Sequence, residues 1–175
     1  MLYYWRHHMS IVVIICGLPG VGKSTISKDL ARLINAVVLS TDKIRKEIFP
    51  RPTYTRFERR LIYDILTLLA RYLNEANVNC ILDATFNTEY SRKQLINKLD
   101  ILPEQMCIVE CTCPENIIIS RLRNRRNDYS DADISIYKRM KDIYQPIKME
   151  HITVDTRQPS ITNAMTIASR ILKIK

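Results

Sequence analysis

Two kinds of apolar pattern alternate along this chain. Short continuous runs, IVVIIC (11–16), AVVLS (36–40), CILDAT (80–85), MCIVEC (106–111) and ITVDT (152–156), have strand length and no regular polar alternation. A strand covered on both faces carries such a run, so the pattern predicts a five-stranded parallel sheet between layers of helix. Between the runs, apolar residues return every three or four positions. In STISKDLARLI, Ile26, Leu30, Leu33 and Ile34 share a predicted face; from 55 to 76, Phe57, Leu61, Ile65, Leu68, Leu69 and Tyr72 do the same. PENIIISRLRNRR, with Pro114 at a helix start, SDADISIYKRMKDIYQPI and SITNAMTIASRILKI complete the helical set. Regular alternation of strand and helix predicts an α/β doubly wound architecture. Residues 10–175 read as a single domain and 1–9 as a loose extension in which Met9 is an alternative start to Met1.

Composition sharpens this picture at one place. All three glycines of the 175 residues, Gly17, Gly20 and Gly22, lie within GLPGVGKST (17–25). That stretch fits the phosphate-binding pattern G-x-x-x-x-G-K-[ST], and it sits where the pattern requires, after the first strand and at the opening of the first helix. A loop that wraps a polyphosphate must bring successive backbone N–H groups inward, which side chains would obstruct and which calls for positive φ at some positions. Gly17, Leu18, Pro19, Gly20, Val21, Gly22, Lys23, Ser24 and Thr25 are therefore the candidate nucleotide-binding loop. In it Lys23 reaches the β- and γ-phosphates, Ser24 ligates Mg²⁺ and the helix N-terminus adds its dipole. ATP and Mg²⁺ are the implied ligands.

Such loops serve switches, motors and kinases alike. A GTPase switch of the D-x-x-G type and an ABC signature both need a further glycine, and the chain has none. NKLD (97–100) matches the guanine-reading N-K-x-D, but it ends an amphipathic helical stretch with Leu95 and Leu99 on one face instead of following a strand directly.

Three further stretches supply candidate chemistry. In STDKIRKEIFP, Asp42 stands two residues past a strand, at the sheet edge where ligands bind, and Arg45 follows one helical turn on. A carboxylate there can take the proton of an attacking hydroxyl, and the arginine can hold an anionic acceptor; the competing reading is that Asp42 only caps a short helix. In ILDATF, Asp83 ends a strand where it can support Mg²⁺. In RLRNRRNDYSD, Arg121, Arg123, Arg125 and Arg126 suit a lid that neutralises a phosphoryl group in flight, or a solvated basic helix end.

Charge and cysteine usage bound the setting. The net charge is +9, and seven Lys or Arg face two Glu between 43 and 60, with Phe49, Tyr54 and Phe57 interleaved. A basic surface carrying aromatics suits a nucleic-acid end or a phosphorylated small molecule; a solvated helix face with core aromatics is the alternative. Five cysteines at irregular spacing, with Cys16, Cys80 and Cys107 in apolar strand-like runs, point to a reduced, cytoplasmic protein, and CTC (111–113) has no partner pair at metal-ligand spacing. The longest apolar run is too short to span a bilayer.

In their order, GLPGVGKST, STDKIR, LDATF with Arg92 beyond it, a Cys-Pro turn and SRLRNRR before a Ser-Asp-Ala helix start resemble the polynucleotide-kinase-like and zeta-toxin-like P-loop kinases. The resemblance covers about 11–147, with a weaker echo in TVDT. It implies a sheet of order 2-3-1-4-5, Asp42 as general base, Arg45, Asp83 and Arg92 around the acceptor, Asp83 also near Mg²⁺, and Arg125 as the catalytic lid arginine with Arg121 one turn earlier on the nucleotide. Repair enzymes of that group commonly add a phosphatase domain; this chain ends with the kinase pattern, so a repair role is not implied. Three functions stay open: a kinase of nucleic-acid 5′-hydroxyls, a metabolite kinase, and a nucleotide-binding regulatory module without chemistry. The spacing leaves oligomeric state open.

Overall fold

The computed structural model describes residues 9–124 and 130–174. Five strands, β1 (Val12–Cys16), β2 (Ala36–Ser40), β3 (Asn79–Asp83), β4 (Met106–Thr112) and β5 (Ile152–Asp155), form one parallel sheet in the order β2-β3-β1-β4-β5. The expected doubly wound α/β fold and its strand order are both present. The helices are α1 (Lys23–Ile34), α2 (Thr41–Ile48), α3 (Arg56–Glu75), α4 (Glu89–Leu99), α5 (Glu115–Asn124), α6 (Ile134–Ile143) and α7 (Ser160–Ile174).

Alternate side chains of the inner strands β1, β3 and β4 enter different cores. Val13 and Ile15 of β1 meet Ile26 and Leu30 of α1, Ile118 of α5, Tyr137 of α6 and Ile167 of α7. Val12, Ile14 and Cys16 meet Ile44 of α2, Ile62 and Leu66 of α3 and Leu95 and Leu99 of α4. This two-sided burial is why the strands read as unbroken apolar runs. With every strand parallel, all carboxyl ends fall on one edge, and the loops after β1, β2 and β3 converge there.

Two helices differ in detail from their patterns. On α3 the buried line is Glu58, Ile62, Leu66 and Ala70, whereas Phe57, Leu68, Leu69 and Tyr72 of the predicted face are exposed. The core face is turned by about 100°, one residue's rotation, from the expected one. The helix is apolar on two sides, and Glu58 draws one of them inward through its pairing with Arg45. On α1, Ile26 and Leu30 are buried but Leu33 is exposed. The helix starts are locally specified: Thr55 caps α3 through Glu58 N–H, Thr88 and Ser91 form a capping box on α4, and Asp133 caps α6 through Ile136 N–H.

Candidate active site

The phosphate loop runs from β1 into α1. Gly22 is the N-cap of α1 at φ 102°, a left-handed conformation that a side chain disfavours. Gly17, at φ 139°, has a second constraint: a Cβ there would lie 2.7 Å from the Cys111 carbonyl oxygen of β4. Part of the glycine requirement thus comes from packing of the loop against the sheet as well as from phosphate approach. Gly17 N–H donates to the Thr85 carbonyl, tying the loop to the segment after β3. Lys23 Nζ donates to the Leu18 carbonyl at 3.0 Å, so its ammonium lies over its own loop.

Ser24 Oγ donates to Asp83 Oδ2 at 2.6 Å. The contact joins the first turn of α1 to the carboxyl end of β3, where Ile15 pairs with Asp83 and Ser40 of β2 flanks it on the other side. A hydroxyl and a nearly buried carboxylate form the hard oxygen donor set that Mg²⁺ prefers, so these residues fit that ion. Burial pushes the neighbouring Cys16 and Cys111 thiols up to about 12, against Arg92 and Lys23 at Cys16 and Lys23 at Cys111.

Asp42 lies in the first turn of α2, just past Ser40. Ser40 is the N-cap and makes no side-chain cap bond, so Asp42 does not occupy the capping position that was its competing assignment. Its carboxylate is partly exposed and accepts from Arg45 Nη1 at 3.2 Å. Arg45 itself is 5% exposed. Its Nε lies 3.1 Å from Glu58 Oε1, within ion-pair distance though not aligned as a hydrogen bond, and its guanidinium stacks 4.9 Å from the Tyr54 ring centroid. Glu58 Oε2 accepts from Thr53 N–H, Thr53 Oγ1 and Tyr54 N–H. Desolvation raises the Glu58 carboxyl, but those three bonds and Arg45 outweigh it and hold the group below the ordinary carboxylate range.

Arg92, expected beside the acceptor, is held inside the protein. It is 2% exposed, and its guanidinium donates to the carbonyls of Phe86, Gln145 and Pro146 at 2.7, 2.8 and 2.9 Å. It holds the segment after β3 against the one before β5. Phe86, buried with φ 45° and edge-on to Tyr63, is the strained residue this arginine secures.

Arg121 lies against the back of the phosphate loop. It donates to the Val21 carbonyl at 3.1 Å and to Thr156 Oγ1 and carbonyl at 2.9 and 2.7 Å. Beside it a cavity of about 370 Å³ is lined by Gly20, Gly22, Thr25, Arg121, Thr156 and Arg157. Thr156 and Arg157 were not singled out from the sequence, where TVDT was only a faint signal. Arg125 and Arg126 lie outside the described residues. NKLD falls at the end of α4, which leads back to the amino end of β4, on the edge away from the phosphate loop.

A family model described as AAA domain matches residues 12–147. An uncharacterized protein of Mycobacterium tuberculosis is 24% identical over 143 residues, covering 75% of this chain; the chain spans only 29% of that relative's length. Among solved structures, the APS kinase CysC of Mycobacterium tuberculosis, in complex with AMPPNP and APS, aligns with TM-score 0.71 at 16% identity, over 94% of this chain and 98% of the other. Kti12 of Chaetomium thermophilum, in complex with ADP-AlF3, aligns with TM-score 0.72 at 14% identity, over 93% and 98%. At these identities the two structures establish a shared fold. No helix among the described residues is long and apolar enough to cross a membrane.

Proposed function

The chain belongs to the AAA domain family, and from that premise we propose that it is a P-loop kinase moving the γ-phosphoryl group of Mg-ATP to an acceptor hydroxyl. The observation that carries this reading is the Ser24–Asp83 contact at 2.6 Å beneath a loop that opens α1 on a left-handed glycine, with Asp42 on the same sheet edge. The loop N–H groups and Lys23 hold the β- and γ-phosphates, and Lys23 exchanges the Leu18 carbonyl for phosphate oxygen. Ser24 and Asp83 would hold Mg²⁺, which when bound offsets phosphate charge. Asp42 accepts the proton of the acceptor hydroxyl as its oxygen bonds to the γ-phosphorus; the bond to the β–γ bridging oxygen breaks and ADP departs. The cavity beside Arg121 and Thr156 takes the base, and Arg125 serves the transferring group. We take 10–175 as one kinase domain working in a reducing, cytoplasmic setting.

We assign the subtype to the polynucleotide-kinase-like and zeta-toxin-like kinases, and the acceptor to a nucleic-acid end. Support comes from Arg51, Arg56 and Arg59, which are exposed, as Phe57 is, and have no salt-bridge partner among the described residues. The other basic residues of 43–60 are engaged: Lys43 with Glu47, Lys46 with Asp131, Arg60 with Asp64, and Arg45 internally. A small-molecule acceptor is the second reading, favoured by the fold shared with an APS kinase. Incubation with γ-labelled ATP and a panel of 5′-hydroxyl oligonucleotides, sugars and adenylylsulfate tests both. Label on an oligonucleotide end supports the first, label on a metabolite alone replaces it with the second, and nucleotide binding without label on any acceptor leaves a regulatory module.

A further inference from the structure

Arg45 is expected from its spacing to grip an anionic acceptor, yet it is engaged on three sides within the protein. Asp42 lies at 3.2 Å, Glu58 at 3.1 Å, and Tyr54 covers its flat face at 4.9 Å. Glu58 is 3% exposed, and a carboxylate at such a site is tolerated only when paired and hydrogen-bonded. Both conditions are met, since one oxygen faces Arg45 and the other accepts three bonds from Thr53 and Tyr54. Tyr54 has left-handed backbone at φ 55°, an uncommon state for an aromatic residue, and its N–H is one of the groups Glu58 holds. Its hydroxyl donates to Asp131, which also receives Lys46 Nζ. The strained turn therefore connects the buried pair to the segment before α6.

We propose that Glu58 and Tyr54 are positioning residues: through Arg45 they fix the Asp42 carboxylate and temper the positive charge it faces. This rests on the reading of Asp42 as the base. Arg45 lies between two carboxylates, the partly exposed Asp42 and the buried Glu58, so its charge is shared between them. Glu58, fixed by Thr53 and Tyr54, holds the guanidinium in place from the side away from Asp42. The groups facing Asp42 are Arg45 on α2, with Glu58 behind it, Tyr63 on α3 and Tyr54 on the connecting turn, while Lys46 and Asp131 pair with each other beyond Tyr54; β2 contributes no charge.

The test is the pH profile of the transfer rate for the parent, Asp42→Asn, Glu58→Gln and Glu58→Asp. Glu58→Gln removes the charge that shares Arg45 and leaves the guanidinium facing the Asp42 carboxylate alone. The acid limb should move to lower pH and kcat should fall about tenfold, a fraction of a positioned base's worth, with the KM for ATP near the parent value. Glu58→Asp keeps the charge and should return the limb to the parental position. Should Glu58→Gln fail to fold, Tyr54→Asn serves in its place, since asparagine tolerates the left-handed turn; it should lower kcat several-fold without lowering the melting temperature. An unmoved limb in Glu58→Gln, or a Tyr54→Asn variant as fast as the parent, overturns the inference while Asp42 remains the base. Unimpaired transfer by Asp42→Asn overturns both.

Discussion

At the residue scale, Asp42 and Arg92 make opposite predictions. Asp42→Asn retains a polar first-turn side chain that Arg45 can still reach, so the melting temperature should stay near the parent value. Its transfer rate should fall by about 10² to 10⁴, the usual worth of a positioned base. Circular dichroism melts beside single-turnover transfer check this, and a large loss of stability with transfer intact would return Asp42 to a structural role. Arg92→Ala should do the reverse. It leaves the Phe86, Gln145 and Pro146 carbonyls without their donor in a closed site, at about 1–3 kcal/mol for each one that water cannot reach. We expect an overall loss of about 3–5 kcal/mol in urea unfolding, within the range of a broken buried network. A fold as stable as the parent, with acceptor affinity alone reduced, would make Arg92 a ligand after all.

At the element scale, the phosphate loop was legible because its requirements are local. Nine consecutive residues carry the glycines, the lysine and the serine, and the strand before and helix after them follow from simple periodicity. Strands β1 to β5 were legible for the same reason. The inward face of α3 was not, because Phe57, Leu61, Ile65 and Leu68 form as good an apolar stripe as Ile62, Leu66 and Ala70, and the choice depends on a partner thirteen residues away from Glu58, Arg45. Nor were the fates of Arg45 and Arg92, whose partners are a distant carboxylate and backbone carbonyls up to 54 residues on. Backbone acceptors leave no pattern in a sequence. The loop itself yields a comparison of two glycines. Gly17→Ala meets a fixed carbonyl at 2.7 Å as well as strained φ, so it should cost about 3 kcal/mol in chemical denaturation. Gly22→Ala has room for its methyl group and should lose only about 1–2 kcal/mol, the cost of left-handed backbone. Equal losses would mean that conformation alone sets the requirement.

At the scale of the whole molecule, a net charge of +9 matters only where it is unpaired. If Arg51, Arg56 and Arg59 track a single strand, three released counterions per complex give a slope of about −2 for the logarithm of affinity against the logarithm of salt. Arg56→Ala or Arg59→Ala should each flatten that slope by about 0.7. Oligonucleotide titrations at several salt concentrations measure it, and a flat line would favour the small-molecule acceptor. The central claim lies upstream of the acceptor, in the use of this loop to transfer a phosphoryl group from ATP. Its most direct test is transfer of γ-label from Mg-ATP by the parent and by Lys23→Ala; in the absence of ligand the Lys23 ammonium donates to its own loop carbonyl at Leu18. The account predicts label on an acceptor with the parent, none with Lys23→Ala, and the same melting temperature for both; a Lys23→Ala protein that transfers label as fast as the parent would contradict it.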